Sequence, residues 1–298
     1  MENELPAATR AWVEARLGGD RIVRVEALAG GWTSRMRRLS SAAGEVFVLR
    51  SFVDAFYRRH APGLLAREAA ILQLLAPTGV PAATLVAVDP DGTECADPSL
   101  LMTLLPGRIR LDTDGLAERI CALARLLVQI HAIQPEERPR TYQAWTAPDR
   151  VRLPENASKT WHRAVDVIRA DPPPYEGRFL HRDFHPGNVL FDGATVTGVV
   201  DWVETSWGPA DLDVAHCATT LALLAGTEAA DRFVAAYVEA GGTLDADEDA
   251  HRYWRVLDAL GFAPDAEKVA TPWRAVGRTD LTPPQITGRL VRYLERLL

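Results

Sequence analysis

The spacing of apolar positions changes along the chain, and the change divides it into two regions. Near the start, Leu5, Trp12, Val13 and Leu17 recur at helical spacing until Gly18-Gly19, so a short helix is expected over 5–17. Strand-like stretches follow at 22–28, 32–39 and 46–50. Gly30-Gly31 divides the first two and the turn Ser41-Ala42-Ala43-Gly44 the last two. After Pro62, the residues Leu65, Ala69, Leu72 and Leu75 share one helical face, and Gly79-Val80-Pro81 ends that run. Apolar stretches at 84–88 and 100–105 complete five strands that carry one helix, which describes a small, mostly antiparallel sheet.

Pro106-Gly107 interrupts this pattern. Beyond it the spacing is helical over 115–133, 161–170, 215–240, 251–260 and 286–298, with short strands between 179 and 202. The expected architecture is α+β and bilobal. Residues 1–105 form a β-rich N-terminal lobe, and residues 106–298 a larger helical C-terminal lobe. There is no internal repeat, and Pro172-Pro173-Pro174 reads as a stiff local connection.

Composition narrows the function classes. The 298 residues are 47% apolar and 24% charged, ordinary values for a globular protein. No apolar run approaches the ~20 residues of a membrane span, so no membrane association is expected. The net charge of −7, with no basic run, argues against a nucleic-acid partner. Cys95, Cys121 and Cys217 are scattered without a C-x-x-C pair, and the acidic start Met1-Glu2-Asn3-Glu4 does not read as a signal peptide. A cytoplasmic location follows, with no obligate protein partner evident. The acidic run Asp245, Asp247, Glu248 and Asp249 reads first as a helix start, and alternatively as an attractor of a cationic substrate.

The candidate chemistry lies between 179 and 202. In Phe179-Leu180-His181-Arg182-Asp183-Phe184-His185-Pro186-Gly187-Asn188-Val189-Leu190-Phe191, and then Val199-Val200-Asp201-Trp202, two short apolar strands flank the turn Gly193-Ala194-Thr195. Such a hairpin places Asp183 and Asn188 before its first strand and Asp201 at the end of its second, so the three converge at one edge. Phosphoryl transfer needs that set: a carboxylate for the acceptor hydroxyl, and an amide oxygen and second carboxylate for Mg²⁺. His181-x-Asp183-x-His185 taken alone also fits a metal-ligand run of a hydrolase; Asn188 and Asp201 at their spacings favour phosphoryl transfer. Glu68 falls on the apolar stripe of its helix, where a carboxylate needs a partner, and Arg50 at the end of the third strand is the natural one.

His181-x-Asp183-x-x-x-x-Asn188 followed by Asp201 resembles the catalytic loop and metal-binding aspartate of the protein-kinase superfamily. With His185-Pro186-Gly187-Asn188, Asp201-Trp202 and the later Gly208-Pro209-Ala210-Asp211-Leu212-Asp213, it is similar to the aminoglycoside phosphotransferase and choline kinase branch. The resemblance implies a phosphotransferase with ATP (or GTP) and Mg²⁺ as cofactors, acting on a small-molecule alcohol. That alcohol is an aminoglycoside or other antibiotic, an amino alcohol or a sugar-like metabolite. It also implies the roles. Asp183 is the catalytic base, and Asn188 and Asp201 are the metal ligands. Gly30, Gly31 and Ser34 lie by the phosphates, the Arg50–Glu68 pair supports them, and Met102 and Leu104 lie by the adenine. Asp213 buttresses the loop. Glu204 and Trp207 border the acceptor pocket, or belong to a solvated loop. Two departures stand out. Arginine occupies position 50 where kinases place lysine, and 29–34 lacks the full G-x-G-x-x-G. The alternative is a nucleotide-binding pseudokinase, a regulatory module without transfer activity.

Overall fold

The computed structural model describes residues 4–28 and 34–298. They form two compact units. The first comprises residues up to Pro106 together with Gly198–Val203, and the second comprises Gly107–Thr197 and Glu204–Leu298.

In the first unit, α1 (Ala7–Arg16) precedes three strands, β1 (Ile22–Leu28), β2 (Arg35–Ser41) and β3 (Val46–Ser51). A single helical turn, α2 (Ala55–Arg58), leads into α3 (Ala61–Leu75), and β4 (Leu85–Asp89) and β5 (Ser99–Thr103) close the set. Among the described residues these strands make a five-stranded antiparallel sheet in the order β1-β2-β3-β5-β4. Residues 47–51 of β3 are all buried, as suits a central strand covered on both faces, whereas β1 at the edge exposes much of its length. On one side Trp12 and Val13 of α1 join Leu39, Phe47, Leu49 and Leu101 in a core cluster. Pro62 lies in the first turn of α3, where its missing N–H leaves no bond unmade. Leu65, Glu68, Leu72 and Leu75 form the buried stripe of that helix. The register sets Arg50 opposite Leu100 on one side and Met36 on the other. Residues 198–203 belong to this unit because Val199 bridges to Ala82, its N–H donating to the Pro81 carbonyl at 2.8 Å.

The second unit starts with β6 (Arg108–Ile109), α4 (Leu116–His131) and α5 (Lys159–Val167). The short strands β7 (Gly177–Leu180), β8 (Val189–Asp192), β9 (Thr195–Val199) and β10 (Ser206–Pro209) follow. Five helices complete it: α6 (Ala210–Ala225), α7 (Thr227–Glu239), α8 (Glu248–Leu260), α9 (Glu267–Ala275) and α10 (Pro283–Leu297). The hairpin expected between 189 and 200 is β8–β9, turning at Gly193 (φ +59°), and β6 pairs with the outer edge of β8. Residues 210–224 of α6 are buried all round, and α7, α8 and α10 pack on it. The apolar run 215–240 is two helices, because Gly226 adopts φ +104°, a conformation that costs glycine nothing. Neither α9, which contains Pro272, nor the two-residue β6 carries a sequence pattern strong enough to be anticipated. The acidic run at 245–249 is a helix start: Asp247 caps α8 by accepting the Asp249 N–H at 2.9 Å. Among the described residues no helix is long and apolar enough to cross a membrane.

Candidate active site

The loop between β7 and β8 carries Asp183 and Asn188, and it is held from below by α6. Asp213, in the first turn of that helix, is fully buried. Its Oδ2 accepts the backbone N–H of His181 and its Oδ1 that of Arg182, both at 2.8 Å. His131 Nε2 donates to the same Oδ2 at 3.2 Å, and its Nδ1 lies 2.7 Å from the Tyr237 hydroxyl oxygen. Burial alone would raise the Asp213 carboxyl, but the hydrogen bond and charge of His131, with His181 and Arg182, outweigh it and lower it. Arg182 itself takes a left-handed conformation (φ +73°), costly for a side chain of this size. Its guanidinium lies 4.0 Å from the centre of the Trp145 ring, a cation–π contact that accompanies the turn.

That turn delivers Asp183 to a polar cluster. Asn188 Nδ2 donates to the Asp183 carbonyl at 2.9 Å and to its Oδ2 at 3.0 Å. His216 Nε2, from the second turn of α6, lies 3.1 Å from Oδ1, and His185 Nε2 lies 3.9 Å from the same oxygen. Burial alone would raise the Asp183 carboxyl; the His216 hydrogen bond and the neighbouring imidazoles of His185, His216 and His181 hold it below the ordinary carboxylate range. His216 Nδ1 is 3.0 Å from Asp258 Oδ1. Burial works against the charged ring, yet Asp258 and Asp183 more than offset it and raise His216 to about 9.

The ligand atoms of Asp183, His185 and His216 lie within 4.8 Å of one another, close enough for a metal ion. The hydrogen bonding disfavours one. His185 Nδ1 accepts the Gly187 N–H at 3.0 Å, so its proton is on Nε2, the atom turned toward Asp183. The hydrolase reading of His181-x-Asp183-x-His185 therefore gains nothing from this geometry.

The first unit holds Ser34, Arg50, Glu68, Met102, Leu104 and Asp201. Arg50 Nη1 reaches both Glu68 oxygens, at 3.0 and 2.9 Å, and its Nε donates to Ser34 Oγ at 3.1 Å. Asp201 Oδ1 is 3.4 Å from the same Nη1. Burial acts against the guanidinium charge, but Glu68 and Asp201 more than compensate, so Arg50 is held cationic. Asp201 also sits at positive φ (+64°), which an aspartate tolerates better than most residues. Met102 is buried in β5 between Val48 and Leu85, and the Leu104 N–H donates to the Val46 carbonyl at 3.3 Å. Gly30 and Gly31 lie outside the described residues.

Glu204 and Trp207 belong to the second unit and are engaged there. Arg140 Nη2 donates to Glu204 at 2.6 Å, and the Arg138 guanidinium covers the Trp207 ring at 4.8 Å. The Trp207 indole rests directly on Gly177, where an added Cβ would lie 2.1 Å from its Nε1.

The residues that sequence reasoning missed are His216 and Asp258. The signal existed for Asp258. It lies on the buried face of α8 among Trp254, Val256, Leu257 and Ala259, the same anomaly that singled out Glu68. His216 follows Asp213 by one helical turn and so faces the same loop.

No curated protein matches this chain by sequence. Its structure is similar to an aminoglycoside-3'-phosphotransferase of type VIII at 23% identity, covering 86% of this chain and 100% of that one, with a TM-score of 0.60. It is also similar to the macrolide 2'-phosphotransferase MphH from Brachybacterium faecium at 17% identity, over 93% and 96% of the two chains, with a TM-score of 0.60. A thermostable mutant of aminoglycoside phosphotransferase APH(4)-Ia, in ternary complex with AMP-PNP and hygromycin B, matches at 16% identity over 97% and 98%, with a TM-score of 0.66. These likenesses establish a kinase-like fold. A model of the phosphotransferase enzyme family matches residues 24–258, most of the chain and the whole of the loop built around Asp183, and the chain belongs to that family.

Proposed function

We propose that this phosphotransferase is a kinase that uses ATP (or GTP) and Mg²⁺ to phosphorylate a hydroxyl of a small molecule. The observation that carries the reading is the coupling of Asn188 to Asp183, where one amide nitrogen satisfies the carbonyl at 2.9 Å and Oδ2 at 3.0 Å. The Asn188 amide oxygen is thereby turned away as a hard donor, and Oδ2 of the Asp183 carboxylate is held by the amide N–H. Phosphoryl transfer passes through a loose transition state, so the base must orient the hydroxyl more than pull strongly on its proton. A carboxylate held below its ordinary range suits that task.

The donor set fits Mg²⁺. Asn188 Oδ1 and the Asp201 carboxylate are hard oxygens, and two protein oxygens suffice for an ion that keeps some of its waters. Bound there, Mg²⁺ would neutralise charge developing on the phosphates. Arg50 contacts the phosphates, oriented by Glu68 and by Ser34. Gly30 and Gly31 let the backbone approach them, and Met102 and Leu104 adjoin the adenine. In this reading residues 1–105 serve the nucleotide and residues 106–298 supply the catalytic loop and the acceptor site, which Glu204 and Trp207 border. The acceptor is an aminoglycoside or other antibiotic, an amino alcohol or a sugar-like metabolite, the first class supported by the substrates named for the structural relatives.

A nucleotide-binding module without transfer activity is the second reading. Arg50 in place of lysine favours it, because the 3.4 Å contact sets a guanidinium against the proposed metal ligand Asp201. Nucleotide-dependent release of ADP, measured with Mg²⁺ across aminoglycosides, macrolides, choline-like amino alcohols and simple sugars, separates the two. Acceptor-dependent release supports the kinase. Nucleotide binding with no release from any acceptor supports the module.

A further inference from the structure

We infer that His216 and Asp258 form a positioning relay for Asp183, in which Asp258 fixes the His216 imidazole and the imidazole fixes Oδ1 of the catalytic carboxylate. The inference rests on the reading of Asp183 as the residue that meets the acceptor hydroxyl.

The geometry is a straight chain of contacts from the interior to the loop. Asp258 Oδ1 lies 3.0 Å from His216 Nδ1, and His216 Nε2 lies 3.1 Å from Asp183 Oδ1. A carboxylate only accepts, so a ring with carboxylates at both nitrogens donates from both. Asn188 takes the other oxygen, Oδ2, at 3.0 Å. The two carboxylate oxygens of Asp183 thus answer to two different donors, one from the loop and one from α6. Together they fix the rotation of the carboxylate, which neither does alone.

The ring is held as firmly as its nitrogens. Phe262 stacks on it with centroids 5.6 Å apart and an interplanar angle of 25°, and Trp145 meets it edge-on at 5.0 Å. Asp258 is buried, and its second oxygen has no hydrogen-bond partner among the described residues. A buried carboxylate is costly unless a charge compensates it, and its hydrogen-bonded partner is His216. Helix packing alone offers no reason to place a half-satisfied aspartate on the core face of α8. A charge that holds the imidazole against the catalytic loop does. The arrangement parallels the carboxylates that orient metal-ligating histidines, whose removal costs about 10–100-fold in metal affinity or activity.

The test uses the full chain with His216→Ala, His216→Gln, Asp258→Asn and Asp183→Ala side by side. His216→Ala is expected to lower kcat by about 10–100-fold while the nucleotide KM stays within about twofold. His216→Gln, whose amide can still donate, is expected to recover part of that loss. Asp258→Asn, which preserves shape, reports on the same relay if the alanine variant folds poorly. A kcat within twofold of wild type in both His216→Ala and Asp258→Asn overturns the inference. So does a loss that glutamine does not relieve at all. Asp183→Ala separates the two levels: if it keeps wild-type turnover, the assignment of Asp183 itself fails, whatever the His216 variants do. Independently of any acceptor, ring-nitrogen NMR of ¹⁵N-histidine-labelled protein at neutral pH is expected to show both His216 nitrogens protonated, and a singly protonated ring overturns the relay.

Discussion

Arg50 binds Glu68 through a single nitrogen, Nη1, which reaches both carboxylate oxygens at 3.0 and 2.9 Å. The rest of the guanidinium is thereby left for other partners, and Ser34 takes Nε at 3.1 Å. A lysine would have one nitrogen for both partners, whereas the guanidinium divides them between two. Both members of the pair are buried, and without Glu68 the guanidinium keeps only the longer 3.4 Å carboxylate contact with the more exposed Asp201. Glu68→Ala is expected to destabilise the chain by about 3–5 kcal/mol in urea unfolding. Arg50→Met with Glu68→Met together should cost much less than the two single changes added, since no charge is left behind.

His216 gives the stability a pH dependence of known sign. Its folded value is raised to about 9, above the ordinary imidazole value, so its contribution is complete below about 6.5 and is lost as pH rises through about 9. At ~1.4 kcal/mol per pKa unit the loss is about 3 kcal/mol. Unfolding free energies measured from pH 6 to 10 should therefore fall more steeply for wild type than for His216→Gln. Parallel profiles would contradict the assignment of the imidazolium.

Asp213 acts on the loop through backbone bonds, so the conservative change is the informative one. Asp213→Asn keeps the shape but replaces charge-assisted acceptance of the His181 and Arg182 N–H groups by a weaker neutral bond and turns an amide against one donor. We expect a loss of about 1.5–3 kcal/mol in stability and a clear drop in turnover, read by thermal unfolding and kcat. Wild-type turnover in that variant would show that the loop holds itself.

Gly177 is required by the indole above it. An alanine Cβ at that position would lie 2.1 Å from Trp207 Nε1, well inside contact distance, and the atoms met belong to a rigid ring. Gly177→Ala should therefore displace Trp207 from beneath Arg138, at a cost of about 1–3 kcal/mol. A shift in tryptophan fluorescence together with a raised acceptor KM is the expected result. If Trp207 does not border the acceptor, fluorescence changes and the acceptor KM does not.

Much of this was legible in the sequence because it rests on local pattern. The five strands of the first unit and the buried Glu68 announced themselves through alternation and through a charge out of place. The loop from His181 to Asn188 and the hairpin after it followed from residue order. What was not legible depends on contacts distant in sequence. The pairing of His216 with Asp258 joins α6 to α8 across 42 residues, and nothing near His216 marks it. Gly226 ends a helix in the middle of an apolar run, where composition alone continues it. Trp207 and Glu204 stand out only by their distance after Asp201, and spacing does not show that Arg138 and Arg140 engage them.

Asp183 is proposed to orient and deprotonate the acceptor hydroxyl. The direct measurement compares wild type with Asp183→Ala for acceptor-dependent ADP release and, in the same preparations, for Mg·ATP binding by calorimetry. That role predicts turnover lower by about 10²–10⁴-fold, with Mg·ATP affinity changed by no more than about threefold. Turnover retained in Asp183→Ala would contradict it.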